Sequence, residues 1–467
     1  MMKRNILFKW NTLALAWVLM AGLVSCSSDD STSDEKNPNP NPQPNPTEAE
    51  IVDEQDESFA NAASKDFSNL LGGLGAGQMD ALLGEMRDNA LENGQALVEA
   101  NSDGDNSLSD LSDFSIANIT LKYYTVDGQG NPIQLSGRVY LPKLKDEYVD
   151  CRNILLNLHG TATGPEMLSM GSMRTLTADS LVVVEPFYTG FGVSADKKQT
   201  YLCQKLIAQQ CVDMIPAVIR LLEKKGVDLL PGYGTYVTGY SQGGGNAVAV
   251  GRHIEMVASS DLRKQINLKK VTAGAGPYDP MGTFSYWLKE DRLTLSMVLP
   301  MVVQGMREGH PDVMKDVKFA DYFSELYKST GFIEQVENND LSAGMMIDND
   351  PRLQSINLGQ SGLFTWMRFS GIMSDEVQNP DSHMRKALEE CLVAEDVTDW
   401  IPTVPLELYS CVNDNVVPYV PNTLAYYNKL KNIINNVKLV ENTTIEDHIL
   451  GQVNFTYRLT CEKAYCN

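Results

Sequence analysis

The hydrophobic positions of this chain change period several times along its length, and each change marks an element. Across residues 58–100 apolar side chains recur at helical spacing, as at Leu82, Leu83, Met86, Ala90 and Leu91, with breaks at Gly72-Gly73 and Gly75. Residues 116–126 and 133–141 alternate instead, separated by Asp127-Gly128-Gln129-Gly130-Asn131, and predict a β-hairpin. The runs Ile154-Leu155-Leu156-Asn157-Leu158 and Leu181-Val182-Val183-Val184 are nearly all apolar, as strands buried on both faces must be. Residues 206–222 fit a helical face, in which Pro216 is expected to cause a kink or open a new first turn. A strand at 233–240, a helix at 243–259 and a strand at 270–275 follow. Repeated strand and helix argue for an α/β class with a mostly parallel central sheet flanked by helices. From 281 to 400 the rhythm gives way to a largely helical pattern. It resumes with Leu406-Glu407-Leu408-Tyr409, a helix at 422–434 and a strand at 437–440, so 281–400 reads as an insertion in the α/β body.

Composition narrows the possibilities. At 467 residues the chain allows one large domain with an insertion, or two domains, and 43% hydrophobic residues suffice for a sizeable core. A formal charge of −22 repels phosphate backbones, so nucleic acid is excluded as an expected partner.

The first stretch is an address. Lys3, Arg4 and Lys9 precede an apolar run over 13–24, too short for a bilayer of about 30 Å, so residues 1–25 read as a secretory signal. The run ends in Leu23-Val24-Ser25-Cys26, which resembles the lipobox of bacterial lipoproteins. That resemblance implies that Cys26 is acylated and becomes the new N-terminus. Ser27-Ser28-Asp29-Asp30 is similar to the acidic export tags of some Gram-negative lipoproteins, which implies the outer membrane or cell surface as location and a membrane partner through the anchor. The Asn-Pro and Gln-Pro alternation over 37–46 favours polyproline II, and with its acidic flanks residues 26–57 read as a stiff tether.

Seven cysteines remain after Cys26, an odd number, so at least one thiol is expected free or paired between chains; Cys461 and Cys466 are close enough in sequence to close a loop. No CxxC pair with zinc spacing and no HExxH occurs, so no metal or other cofactor is expected. Asp103-Gly104-Asp105-Asn106-Ser107 approaches a calcium loop, but Leu108 stands where the sixth-position Gly belongs and Phe114 where the closing Glu belongs. It reads as a solvated loop.

Chemistry concentrates at Gly239-Tyr240-Ser241-Gln242-Gly243, which follows one predicted strand and opens a helix. This is G-x-S-x-G in the setting of a nucleophile elbow, where Gly239 and Gly243 leave room for a strained Ser241 and the helix N-terminus favours developing negative charge.

With these motifs the chain resembles the α/β-hydrolases, and within them the secretory lipase family of esterases and lipases. The likeness runs from Ile116 to about Gly451 and includes Ser136-Gly137-Arg138-Val139-Tyr140-Leu141-Pro142, His159-Gly160-Thr161, Glu185-Pro186-Phe187-Tyr188-Thr189-Gly190-Phe191-Gly192, Tyr201-Leu202 and Trp400-Ile401-Pro402-Thr403-Val404-Pro405. Glu185-Pro186 departs from the family's usual Pro-Asp, so no role passes to an acid there. The resemblance implies body segments at 116–280 and 401–467, a helical cap at 281–400 over the active-site mouth, and a separate N-terminal helical segment at 58–115. In this fold the triad runs Ser, acid, His. Of the five His, only His448 follows a strand and an acid candidate near the end of the chain. Asp414, followed by Val416-Val417-Pro418, is the expected acid and Asp279 the runner-up; Asp447, next to His448, should point elsewhere. The backbone N–H groups of Gln242 and Thr161 are expected to form the oxyanion hole.

The reading is an exported, lipid-anchored serine hydrolase acting on a small-molecule ester or lipid. A serine peptidase and a catalytically degenerate binding module are the alternatives. Ten of the 20 Met fall in the 120 residues of the cap; some fill its helical core, and others, with Phe364, Trp366 and Phe369, are expected to line an adaptable apolar acyl pocket.

Overall fold

Residues 49–70, 80–102 and 110–467 are described by the computed structural model. The signal-like stretch, Cys26, the Pro-rich tract, the break around Gly72-Gly73 and most of the calcium-like loop lie outside them. In chain order the strands are β1 (Glu50–Ser58), β2 (Phe114–Val126), β3 (Pro132–Leu144), β4 (Glu147–Tyr148), β5 (Asn153–Leu158), β6 (Leu181–Pro186), β7 (Thr235–Tyr240), β8 (Leu268–Gly274), β9 (Asn357–Ser361), β10 (Phe364–Met367), β11 (Leu406–Cys411) and β12 (Val437–Asn442). Ten of them build one sheet in the order β1-β2-β3-β6-β5-β7-β8-β11-β12, with β4 on β3. The run from β6 to β12 is parallel, and β1, β2 and β3 extend it antiparallel.

Side chains one residue apart enter opposite layers, as the pleat requires. Leu156, Val184 and Val237 face α3 (Gln204–Lys225) and α4 (Gln242–Met256), whereas Leu155 and Val183 face a layer that includes Phe59, Met86 and Phe455. The second layer is supplied by the helices Phe59–Asn69 and Asp80–Ala100 and by the helix His448–Thr460. The helical segment at 59–100 therefore packs behind the element that begins with His448, and Tyr457 donates a hydrogen bond to Glu85 at 2.8 Å.

Two expectations change here. Pro216 does not divide its helix: α3 runs unbroken for 22 residues, because the side chains it buries on both sides of the proline outweigh a cost of about 3 kcal/mol. And residues 50–57, read from their acidity as the end of the tether, belong to edge strand β1. Its carboxylates meet cations on neighbouring elements: Glu50 with Lys122, Glu54 with Lys225, Asp56 with Lys143 and Glu57 with Arg174. The acidity is local charge matching on a sheet edge, not a solvated linker.

Between α6 (Pro280–Glu290) and Trp400 the chain forms α7 (Val298–Gly309), the helix His383–Ala394, several one-turn helices and the antiparallel ribbon β9–β10. The ribbon stands beside the largely helical pattern expected of this section. This section has its own apolar core, including Phe284, Met301, Met306, Tyr322, Leu353 and Leu388. Among the described residues no helix is long and apolar enough to cross a membrane.

Candidate active site

Ser241 stands between β7 and α4 with φ 59° and ψ −125°, a conformation that costs a non-glycine residue on the order of 1–3 kcal/mol. Its surroundings impose it. The Ser241 N–H donates to Gly274 O at 2.9 Å on β8, and Ser241 O accepts from the N–H groups of Gly244 and Gly245 at 2.9 and 3.1 Å. A Cβ on Gly239 would sit 2.3 Å from Gly243 O, and one on Gly243 would sit 2.0 Å from Leu158 O, so neither position can carry a side chain. Gln242 is the first residue of α4, and its N–H has no acceptor within the helix.

Asp414 comes from the loop after β11, and His448 is the first residue of the helix that follows β12. His448 Nδ1 lies 2.7 Å from Asp414 Oδ2, while Asp414 Oδ1 accepts from the N–H groups of Val416 and Val417 at 2.9 Å each. Both side chains are almost wholly out of water. His448 Nε2 is buried and has no hydrogen-bond partner. The backbone of His448 is fixed separately: its carbonyl accepts from Tyr240 Oη at 2.8 Å, and its N–H donates to Asn415 Oδ1 at 3.0 Å. Burial, reinforced by the Asp414 charge, pushes the Tyr240 hydroxyl well above its ordinary range, so it remains a donor.

Gly160, Thr161, Ser241, Gln242 and His448 line one end of a cavity of about 780 Å³. Thr161 Oγ1 is 2.8 Å from Tyr201 Oη, a contact that holds the loop after β5; burial pushes this tyrosine up to about 12. Most of the other lining is apolar, with Phe284 and Trp287 from α6, Leu299 and Val302 from α7, and Leu388 and Leu392 from the helix His383–Ala394. Of the ten cap methionines, Met297, Met345, Met346 and Met373 line the cavity; Met301, Met306, Met314 and Met367 fill the cap's own core. Phe364 is in the wall. Trp366 and Phe369 are not: Arg292 lies 4.8 Å from the Trp366 ring, and Phe369 packs edge-on against Phe284 at 5.6 Å.

The remaining candidates take structural places. Asp279 caps α6 by accepting from Gly282 N–H at 2.7 Å. Glu185 Oε1 is enclosed by Asn157 Nδ2, Ser172 Oγ and Met173 N–H at 2.8 to 2.9 Å. His159 stacks on Tyr188 at 3.8 Å, and burial lowers its imidazole to about 4. Asp447 does point elsewhere, capping the helix His448–Thr460 through Ile449 and Leu450 N–H and accepting from Leu363 N–H in the cap. Its role, with those of Asn415 and Tyr201, escaped the sequence reading, since none of them belongs to a motif of the chemistry.

Among the described residues one group of donors lies close enough to hold a metal ion: Cys203, His310 and Glu395. The donors already engage protein groups. His310 Nε2 is 2.8 Å from Glu395 Oε1, Glu395 Oε2 accepts from Lys205 N–H, and Cys203 Sγ donates to Gly305 O. They form a polar joint between α3 and the cap. The seven described cysteines are free thiols, Cys461 and Cys466 included, and five of them are buried.

No family model matches the chain, and none of the curated proteins matches it. Solved structures do. The rice cell wall degrading esterase LipA from Xanthomonas oryzae is 19% identical with a TM-score of 0.58, covering 80% of this chain and 92% of its own. A Legionella pneumophila protein described as a hydrolase is 16% identical with a TM-score of 0.57, covering 80% and 95%. At these identities the likeness establishes the fold: this chain has the α/β-hydrolase fold.

Proposed function

We propose that the chain is a serine hydrolase that cleaves carboxylic esters through an acyl-enzyme on Ser241. One observation carries the reading. His448 is gripped by Asp414 at Nδ1, its buried Nε2 has no hydrogen-bond partner, and the residue lines the same cavity as Ser241. In the proposed cycle Ser241 Oγ attacks the ester carbonyl carbon as His448 Nε2 takes its proton, and Asp414 stabilises the imidazolium. The oxyanion receives the N–H groups of Gln242 and Thr161. Collapse breaks the bond to the alkoxide, which leaves with the proton from His448, and water then repeats the sequence on the acyl-enzyme to return the acid.

The apolar far end of the cavity supports an acyl chain as occupant. Each methylene buried there contributes up to about 0.8 kcal/mol, or roughly fourfold in kcat/KM, so p-nitrophenyl esters should improve from acetate through butyrate or hexanoate. Export and a lipid anchor on Cys26, at the outer membrane or cell surface, belong to the same proposal and are supported by the signal-like stretch and the lipobox resemblance. Loss of metabolic acyl labelling in Cys26→Ser tests the anchor. A fluorophosphonate probe tests the chemistry: wild-type protein should be labelled and Ser241→Ala should not. Unlabelled folded protein would overturn the hydrolase and return the binding module. A panel of esters and aminoacyl amides separates ester from peptide cleavage.

A further inference from the structure

The turn of the cap ribbon, between β9 and β10, reaches back to the segments that carry Asp414 and His448. Leu363 N–H donates to Asp447 Oδ2 at 2.8 Å, and the other oxygen of that carboxylate caps the helix whose first residue is His448. On the opposite side Asn415 spans the gap. Its Oδ1 accepts from His448 N–H at 3.0 Å, and its Nδ2 donates to Ser361 O at 2.8 Å. Between these two polar links, Phe364 packs with Val416 and Val417, the residues whose N–H groups hold Asp414. Gly362 completes the fit: its φ is +59°, and a Cβ there would meet Asp447 Oδ2 at 2.3 Å. Asn415 and Asp447 are only 5% and 4% exposed, so these bonds are shielded from competing water.

A helix cap alone requires only one of the two Asp447 oxygens. The second oxygen, the amide of Asn415 and the glycine at 362 all serve the ribbon. Leu363 and Phe364, in the same turn, also form part of the cavity wall. One short segment therefore touches both the space that receives substrate and the two loops that align the imidazole with its carboxylate.

We infer that the ribbon turn at 361–363 is a positioning element for His448, acting through Asp447 and Asn415, so that filling the cavity and aligning His448 with Asp414 are coupled. The inference rests on Ser241, Asp414 and His448 being the catalytic groups. Neither Asp447 nor Asn415 touches the reacting atoms. A chain lying against Leu363 and Phe364 presses the turn into place, and an ester too short to reach them leaves alignment to the loops alone.

Asp447→Asn isolates the link, because asparagine caps a helix as well as aspartate does but offers one acceptor oxygen instead of two, so either the cap or Leu363 N–H goes without. Gly362→Ala attacks the same contact from the cap side. Both should lower kcat on p-nitrophenyl acetate by on the order of tenfold to a hundredfold, with KM within about twofold, since a small displacement of a catalytic group has effects of this size. The loss should shrink on hexanoate, whose chain seats the turn. Ser259→Ala is the structural control: it removes an N-cap on the remote helix Ser260–Ile266 and should lower Tm without changing kcat or its dependence on chain length. Equal losses on acetate and hexanoate, or wild-type kcat in both ribbon variants, would overturn the inference while fluorophosphonate labelling of the wild type still stood. Failure of the wild type to label would overturn the hydrolase reading itself.

Discussion

The two ends of the cavity are built by different physics. At the catalytic end, backbone and buried polar groups fix every position: Ser241 is locked by carbonyls and two glycines, and Asp414 and His448 are tied by hydrogen bonds at 2.7 to 3.0 Å. At the cap end, largely apolar side chains, four methionines among them, line the open space. The first end cannot vary without losing its geometry. The second can repack, because thioethers and leucines have many acceptable rotamers. Chemistry and selectivity are thus assigned to separate materials within one site.

The largest effect should come from removing one atom at the rigid end. Ser241→Ala should lower ester turnover by about 10⁶-fold while the calorimetric Tm stays within a few degrees of wild type, since the residue lines the cavity. Gly243→Ala should damage both properties, because its Cβ would lie 2.0 Å from Leu158 O. Denaturant unfolding should show a loss of roughly 3 kcal/mol, a size typical of forced overpacking, together with a loss of turnover.

His159 adds a pH term to the same end. Burial lowers its folded value from 6.5 to about 4, so the unfolded chain binds the proton first. Stability from this residue is complete above pH 6.5 and declines as pH falls from there toward 4. Moving from pH 7 to pH 5 should cost the wild type about 2 kcal/mol through this residue, and His159→Asn should lose less over the same interval in denaturant titrations. The smallest change is expected at the cap end. Val302→Phe, which puts bulk into the apolar wall, should lower the hexanoate-to-acetate ratio of kcat/KM by about tenfold and leave acetate hydrolysis nearly unchanged. An equal loss on both esters would show that the two ends are not separable.

How far the sequence revealed this arrangement depends on how each element is stabilised. The hairpin β2–β3 and the strands β5, β6 and β7 were legible because burial forces their residue types, on one face or on both. Ser241 was legible because strain demands its glycines. Strand β1 was not, since five carboxylates in nine residues carry no apolar period, and what holds them is a set of cations distant in sequence. The ribbon strand β9, Asn-Leu-Gly-Gln-Ser, is likewise polar and mostly exposed, and its meaning lies in the residues it touches. Asn415 and Asp447 bond across 54 and 84 residues of chain, distances at which local patterns carry no signal. Aromatic residues suit apolar walls, which is why Trp366 and Phe369 are expected in the cavity, yet the cap's own core claims Phe369, and Arg292 covers the Trp366 ring.

Strand β1 also bears on how this molecule behaves in a crowd. An uncovered sheet edge exposes a row of N–H and C=O groups that a strand from another copy can extend, which is the usual route to aggregation of β-rich surfaces. Here that edge carries Glu50, Asp53, Glu54, Asp56 and Glu57, and all but Asp53 meet cations on its own body. Two such edges brought together would set carboxylate against carboxylate without supplying any new cation. Near neutral pH this carboxylate row disfavours pairing of one such edge with another.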